Sequence, residues 1–137
     1  LPAQKVFYCP SHRGENSFKS NADRWLDTET EIAGNYHFRG AGPIGRTPVR
    51  GQLPITTNLY RIDPAQSSLL ADGMRVRSDY NHEQGANFFR ADLTIHWFPD
   101  PDRRIPSILG TTKFDTTASQ VLQAWEWFDE AANAEQG

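Results

Sequence analysis

Apolar and polar residues alternate in several short stretches of the chain and recur at helical spacing in one long stretch. Between Gly85 and Pro99, Phe89, Ala91, Ile95 and Trp97 can lie on one side, with Arg90, Thr94 and His96 on the other. That is the alternation of two strands, and a short connection over residues 90–94 folds them into a hairpin. Tyr36 and Phe38 alternate with Asn35, His37 and Arg39, predicting a further strand over 34–40. Val6-Phe7-Tyr8, closed by Cys9-Pro10-Ser11, suits a strand that stops where proline offers no ladder donor. Ser68-Leu69-Leu70-Ala71 reads as a short buried run ended by Asp72-Gly73. Met74-Arg75-Val76-Arg77 alternates again, so Asp72-Gly73 is read either as a hairpin turn or as a buried strand end leading into a loop. For residues 57–62 the period does not decide between a strand and a helical turn.

The clearest helix is C-terminal, over 116–133. Thr117 followed by Gln120 is a capping box, and Val121, Leu122, Trp125, Phe128 and Ala132 then recur on one face. Trp127 lies off that stripe, which places it in solvent or at a partner surface. Residues 11–24 are polar and read as a loop, with Trp25, Leu26 and Ile32 as isolated apolar anchors. Residues 40–54 hold so much glycine and proline that a long surface loop is expected. The sum is a single α+β domain over 1–137: an antiparallel sheet, long loops and a terminal helix.

A chain of 137 residues can bury a core without staples, and four Trp, eight Phe and four Tyr supply its material. The net charge of −3 and the absence of a basic block argue against nucleic acid as a partner. No run reaches the roughly 18 apolar residues of a membrane span. Cys9 is the single cysteine, which excludes an intrachain disulfide and a paired-cysteine zinc pattern. With His12 three residues on, Cys9 is read as a small buried thiol before a proline turn rather than a nucleophile.

Motifs of chemistry are sparse. Gly40-Ala41-Gly42 leads into Pro43 and not into a helix, so it fails the dinucleotide test. Neither Gly-x-Ser-x-Gly nor His-Glu-x-x-His occurs. Asp72, Asp79 and Asp92 are candidate ligands for a structural Ca²⁺, a hard cation that takes carboxylate and carbonyl oxygens. His82 stands before a glycine turn, where it can bond backbone groups, and Asp92 sits where a carboxylate accepts local N–H bonds.

Nine residues separate His82 from Asp92, and Gly85-Ala86-Asn87-Phe88-Phe89-Arg90-Ala91-Asp92 runs between and up to them. This segment resembles the His-x9-Asp-Gly signature of pilin-like proteins, the type II secretion pseudopilin-like proteins abundant in planctomycete bacteria. Cys9-Pro10-Ser11 is similar to the Cys-Pro-Ser step upstream in that family. Leu93 stands where the signature has glycine, which implies a turn other than the two-residue Asp-Gly type. The family's N-terminal Phe-Thr-Leu-Ile-Glu-type segment and long hydrophobic helix are not in the chain, whose Leu1-Pro2 start suits a processed or truncated form.

The resemblance implies a non-enzymatic pilin-like head, with His82, Gly85, Ala86, Asn87 and Asp92 as structural marks. It implies an extracytoplasmic location and no cofactor; the structural Ca²⁺ that some major pseudopilins hold does not carry over, because no ligand motif here matches it. The implied partners are other pilin-like subunits and the secretion or assembly machinery, with membrane contact only through the absent helix. The residues also admit two other readings. One is a secreted glycan- or peptide-binding module using Trp25 or Trp127, and the other a small hydrolase using His82 with Asp79 or Asp92.

Overall fold

A computed structural model describes residues 3–12, 16–27, 29, 34–39, 42–43, 55–56, 62–65, 67–112 and 114–134. The fold is α+β. Strands β1 (Tyr36–Phe38), β4 (Ser68–Asp72), β5 (Gly85–Arg90) and β6 (Ile95–Pro99) form one antiparallel sheet in the order β1-β4-β5-β6. β2 (Gly42–Pro43) and β3 (Ile55–Thr56) pair as a separate two-stranded ribbon, within and just after the stretch expected as an unbroken loop. The rest of 40–54, and residues 57–61, lie outside the described residues.

Register sorts the sheet into two faces. Phe38 pairs with Leu70, Leu70 with Phe89 and Phe89 with Ile95; Tyr36 pairs with Asp72 and Asn87 with Trp97. These residues share one face. His37, Ala71, Phe88 and His96 are likewise partnered across the strands, as are Ala86 and Phe98, on the other face. The second face carries the core. Helix α3 (Ala118–Ala134) lays Ala124, Trp125 and Phe128 against it. Phe128 stacks on Phe88 at 5.1 Å and meets Phe98 and Trp125 edge-on at 5.2 and 5.7 Å. Rings in these offset and T-shaped arrangements add to their area burial, so this cluster is where most of the fold's apolar stabilisation resides.

The cap of α3 is the reciprocal one expected. The Thr117 N–H donates to Gln120 Oε1 at 2.6 Å, and the Gln120 N–H donates to Thr117 Oγ1 at 3.3 Å. Asp129 then ties the helix to the sheet edge, accepting from Arg39 Nη1 at 2.7 Å and from the Ser68 N–H at 2.8 Å. Burial outweighs the Arg39 attraction and pushes the Asp129 carboxyl above its ordinary range.

The hairpin of β5 and β6 forms as expected. The Leu93 N–H donates to the Arg90 carbonyl at 3.0 Å, and the Arg90 N–H donates to the Thr94 carbonyl at 2.9 Å. Leu93 has φ 70°, the left-handed conformation that a third loop residue adopts beyond a tight turn. The connection is therefore not the two-residue Asp-Gly type.

Two expectations are corrected. Residues Ala3–Phe7 form a 3-10 helix rather than a strand. Tyr8 is buried while Val6 and Phe7 are 71% and 54% exposed. One buried position in a turn is not strand alternation, and three apolar residues are too few to tell the two apart. The polar stretch 11–24 is not all loop either. Helix α1 (Phe18–Asn21), capped by Ser17, runs into a 3-10 helix over Ala22–Leu26. In that segment Trp25 stacks on Phe7, whereas Leu26 is exposed and anchors nothing; Ile32 lies outside the described residues.

Of the two readings of Asp72-Gly73, the strand end is the one found. Met74 and Val76 are buried, but their segment joins no ladder. Arg77 turns to α2 (Arg104–Ile108) and the connection that follows it. Its N–H donates to the Gly110 carbonyl, Nε to the Pro106 carbonyl and Nη2 to the Leu109 carbonyl.

Candidate functional site

The face of the sheet away from α3 holds the densest chemistry among the described residues. Three segments converge there. Cys9 is presented by the turn after the first 3-10 helix, where its carbonyl accepts the His12 N–H at 3.0 Å and its own N–H donates to Asn35 Oδ1 at 2.7 Å. Asp72 ends β4 and points from the open face, buried. His82 lies in the connection before β5, its ring edge-on to Trp97 at 5.7 Å.

Gly85 explains how Trp97 comes so close. A Cβ there would lie 2.2 Å from the Phe98 carbonyl oxygen and 2.6 Å from the Trp97 ring, so only glycine admits the indole.

The functional atoms meet closely. His82 Nε2 is 3.7 Å from Cys9 Sγ and 3.4 Å from Asp72 Oδ2, and the three ligating atoms all lie within 4.8 Å of one another. Each flanking asparagine supports one of them. Asn81 Nδ2 donates to Cys9 Sγ at 3.0 Å. Asn87 donates to Asp72 Oδ2 from its backbone N–H at 2.6 Å and from Nδ2 at 3.2 Å. All three ligating residues line a groove of about 1160 Å³ whose apolar walls include Phe7, Trp25, Phe89 and Ile95.

The geometry discriminates between chemistries. A nucleophile–base–orienter relay uses one imidazole nitrogen for the nucleophile and the other for the carboxylate. Here the same Nε2 faces both thiol and carboxylate. Atoms converging on a common centre are the arrangement of ligands around a metal ion, and Cys9, Asp72 and His82 could hold one.

The expected site residues are distributed unevenly. Asp72 and His82 belong to the cluster, Asn87 supports it and Gly85 shapes its wall. Ala86 is part of the core. Asp92 is at the exposed hairpin turn, accepting from the Thr94 N–H at 3.0 Å. Asp79 is buried elsewhere, taking Asn16 Nδ2 on both oxygens at 3.0 and 3.2 Å, with His12 Nε2 at 3.8 Å. Burial holds the His12 imidazole below its ordinary range, with Asp79 partly opposing.

Asp72, Asp79 and Asp92 thus do not assemble a shared Ca²⁺ site among the described residues. His82 is partnered by Asp72, not by Asp79 or Asp92 as the hydrolase reading required. Trp127 is half-buried against the core with the Arg104 guanidinium 5.2 Å over its ring, rather than free on the surface. Trp97 is 43% exposed on the open face. Cys9 was the residue missed. It is half-exposed, not a sealed thiol.

Compared with protein-family models, with curated proteins and with solved structures, the chain finds no match in any of the three.

Proposed function

We propose that this chain is the head of a pilin-like subunit, a non-enzymatic module that assembles with other such subunits outside the cytoplasm. The observation that carries the reading is Leu93. The His-x9-Asp-Gly signature has glycine at this position, and Leu93 takes the left-handed φ of 70° that glycine accommodates without cost. A leucine held in a glycine's conformation supports descent of the hairpin from that pattern. The open sheet face adds a second support, since Phe38 and Ile95 are 63% and 74% exposed and offer apolar surface for a neighbouring subunit. No helix among the described residues is long and apolar enough to cross a membrane.

The test is the coding sequence immediately upstream of Leu1. A long apolar helix behind a Phe-Thr-Leu-Ile-Glu-type segment is the expected result. An upstream region that encodes neither removes the reading. The groove favours one other function, a secreted binding module for peptide or glycan, with Trp25 as its platform. Array binding that disappears in Trp25→Ala would select it instead; Trp127, covered by Arg104, is poorly placed for that role.

A further inference from the structure

We infer that Cys9, Asp72 and His82 form a three-ligand site for Zn²⁺, which clips the N-terminal segment to the open face of the sheet. Donor type excludes the hard cations. Ca²⁺ and Mg²⁺ select oxygen, whereas a thiolate and an imidazole with one carboxylate suit a borderline-soft transition ion.

Separation agrees with donor type. Tetrahedral bonds of about 2.3 Å to sulfur and 2.0–2.1 Å to nitrogen or oxygen put neighbouring ligand atoms roughly 3.4–3.6 Å apart. The observed sulfur–nitrogen and nitrogen–oxygen separations are 3.7 and 3.4 Å. The surroundings fit as well. Metal ligands are commonly oriented by hydrogen bonds from outside the coordination shell. Asn81 holds the sulfur, Asn87 holds the carboxylate and Asn35 fixes the Cys9 backbone. Three protein ligands leave a fourth position, and because all three line the groove it is open to water or to a donor atom from a groove occupant.

The proton balance is simple. Zn²⁺ takes the Cys9 sulfur as thiolate and releases the thiol proton to solvent. The Asp72 carboxylate binds ionised, and His82 binds neutral through the Nε2 lone pair. A hydrogen-bonded lock without metal is the competing account of the same contacts.

The experiment uses the full chain, reduced, stripped with a chelator and titrated with Co²⁺ and then Zn²⁺. One equivalent of Co²⁺ should produce thiolate-to-cobalt charge-transfer absorption and visible bands of tetrahedral intensity. Zn²⁺ should then abolish both. Cys9 is the chain's sole cysteine, so that charge-transfer band can arise nowhere else. Cys9→Ser should remove the band, and Cys9→Ser or His82→Gln should weaken Zn²⁺ binding by at least about tenfold. Excess Zn²⁺ should raise the melting temperature of the natural chain and not that of Cys9→Ser. Absence of the band in the natural chain overturns the site whether or not the variants fold. So does a band that survives in denaturant, undiminished Zn²⁺ affinity in both variants, or an equal rise in melting temperature with Ca²⁺.

Discussion

The two faces of the four-stranded sheet are built on opposite plans. Against α3 the strands present Ala71, Ala86, Phe88 and Phe98, and the helix answers with rings. On the other side the same strands present Tyr36, Asp72, Asn87 and Trp97 next to Phe38, Phe89 and Ile95, a mixture that a dry interior would not tolerate. Stability is concentrated on the first face, while hydrogen-bonding and ligating groups are concentrated on the second. One sheet serves both because successive residues of a strand point to opposite sides, so each face can be specified independently.

The contrast can be broken by substitution. Phe128→Ala removes the ring that touches Phe88, Phe98 and Trp125, and should cost about 3–5 kcal/mol in urea denaturation. A smaller loss there than on the open face would refute the division. On the open face Gly85→Ala has the largest expected effect, about 1–3 kcal/mol, since its Cβ must displace the Phe98 carbonyl or Trp97. Its near-ultraviolet circular dichroism should change as the indole moves.

Leu93→Gly goes the other way. Leu93 is largely exposed, so little contact is lost, and relief of the left-handed backbone should raise stability by about 1 kcal/mol. A loss of stability would show that the leucine side chain stabilises the turn by more than its left-handed backbone costs.

The smallest effect is a pH dependence from two histidines held away from the open-face cluster. The native pKa of His12 is depressed below the ordinary 6.5, so the unfolded chain binds the proton first. Stability from this group is complete above pH about 6.5, falls as the pH drops through that value, and levels once the native imidazole also protonates. His37 shifts in the same direction, again mainly through burial. Melting curves of His12→Gln should therefore fall less steeply below pH about 6.5 than those of the natural chain, with a residual slope from His37.

The sequence announced these regions unequally. The hairpin of β5 and β6 was legible because its alternation is interrupted by a polar connection, and α3 because Thr117 and Gln120 mark its start. These are local signals, carried by residues close in sequence. The N-terminal 3-10 helix was misread because Val6-Phe7-Tyr8 has strand composition, while its burial follows a turn. The ligand cluster was not legible as a unit at all. Asp72 and His82 stood out separately, one as an acidic candidate and one as a signature histidine, and Cys9 within Cys9-Pro10-Ser11. Nothing local joins three residues brought from a turn, a strand end and a loop by the packing of the N-terminal segment on the sheet.

Asp129 carries a consequence for how the molecule opens. Strand β1 is three residues long at the edge of the sheet, with little ladder of its own. Its neighbour Arg39 is held by Asp129 and lies 5.7 Å from the Trp125 ring, while the same carboxylate grips the start of β4 through the Ser68 N–H. The edge strand and the helix therefore belong to one cooperative unit. The β1 amides should exchange with solvent at the rate set by opening of α3, not at the fast rate of a fraying edge.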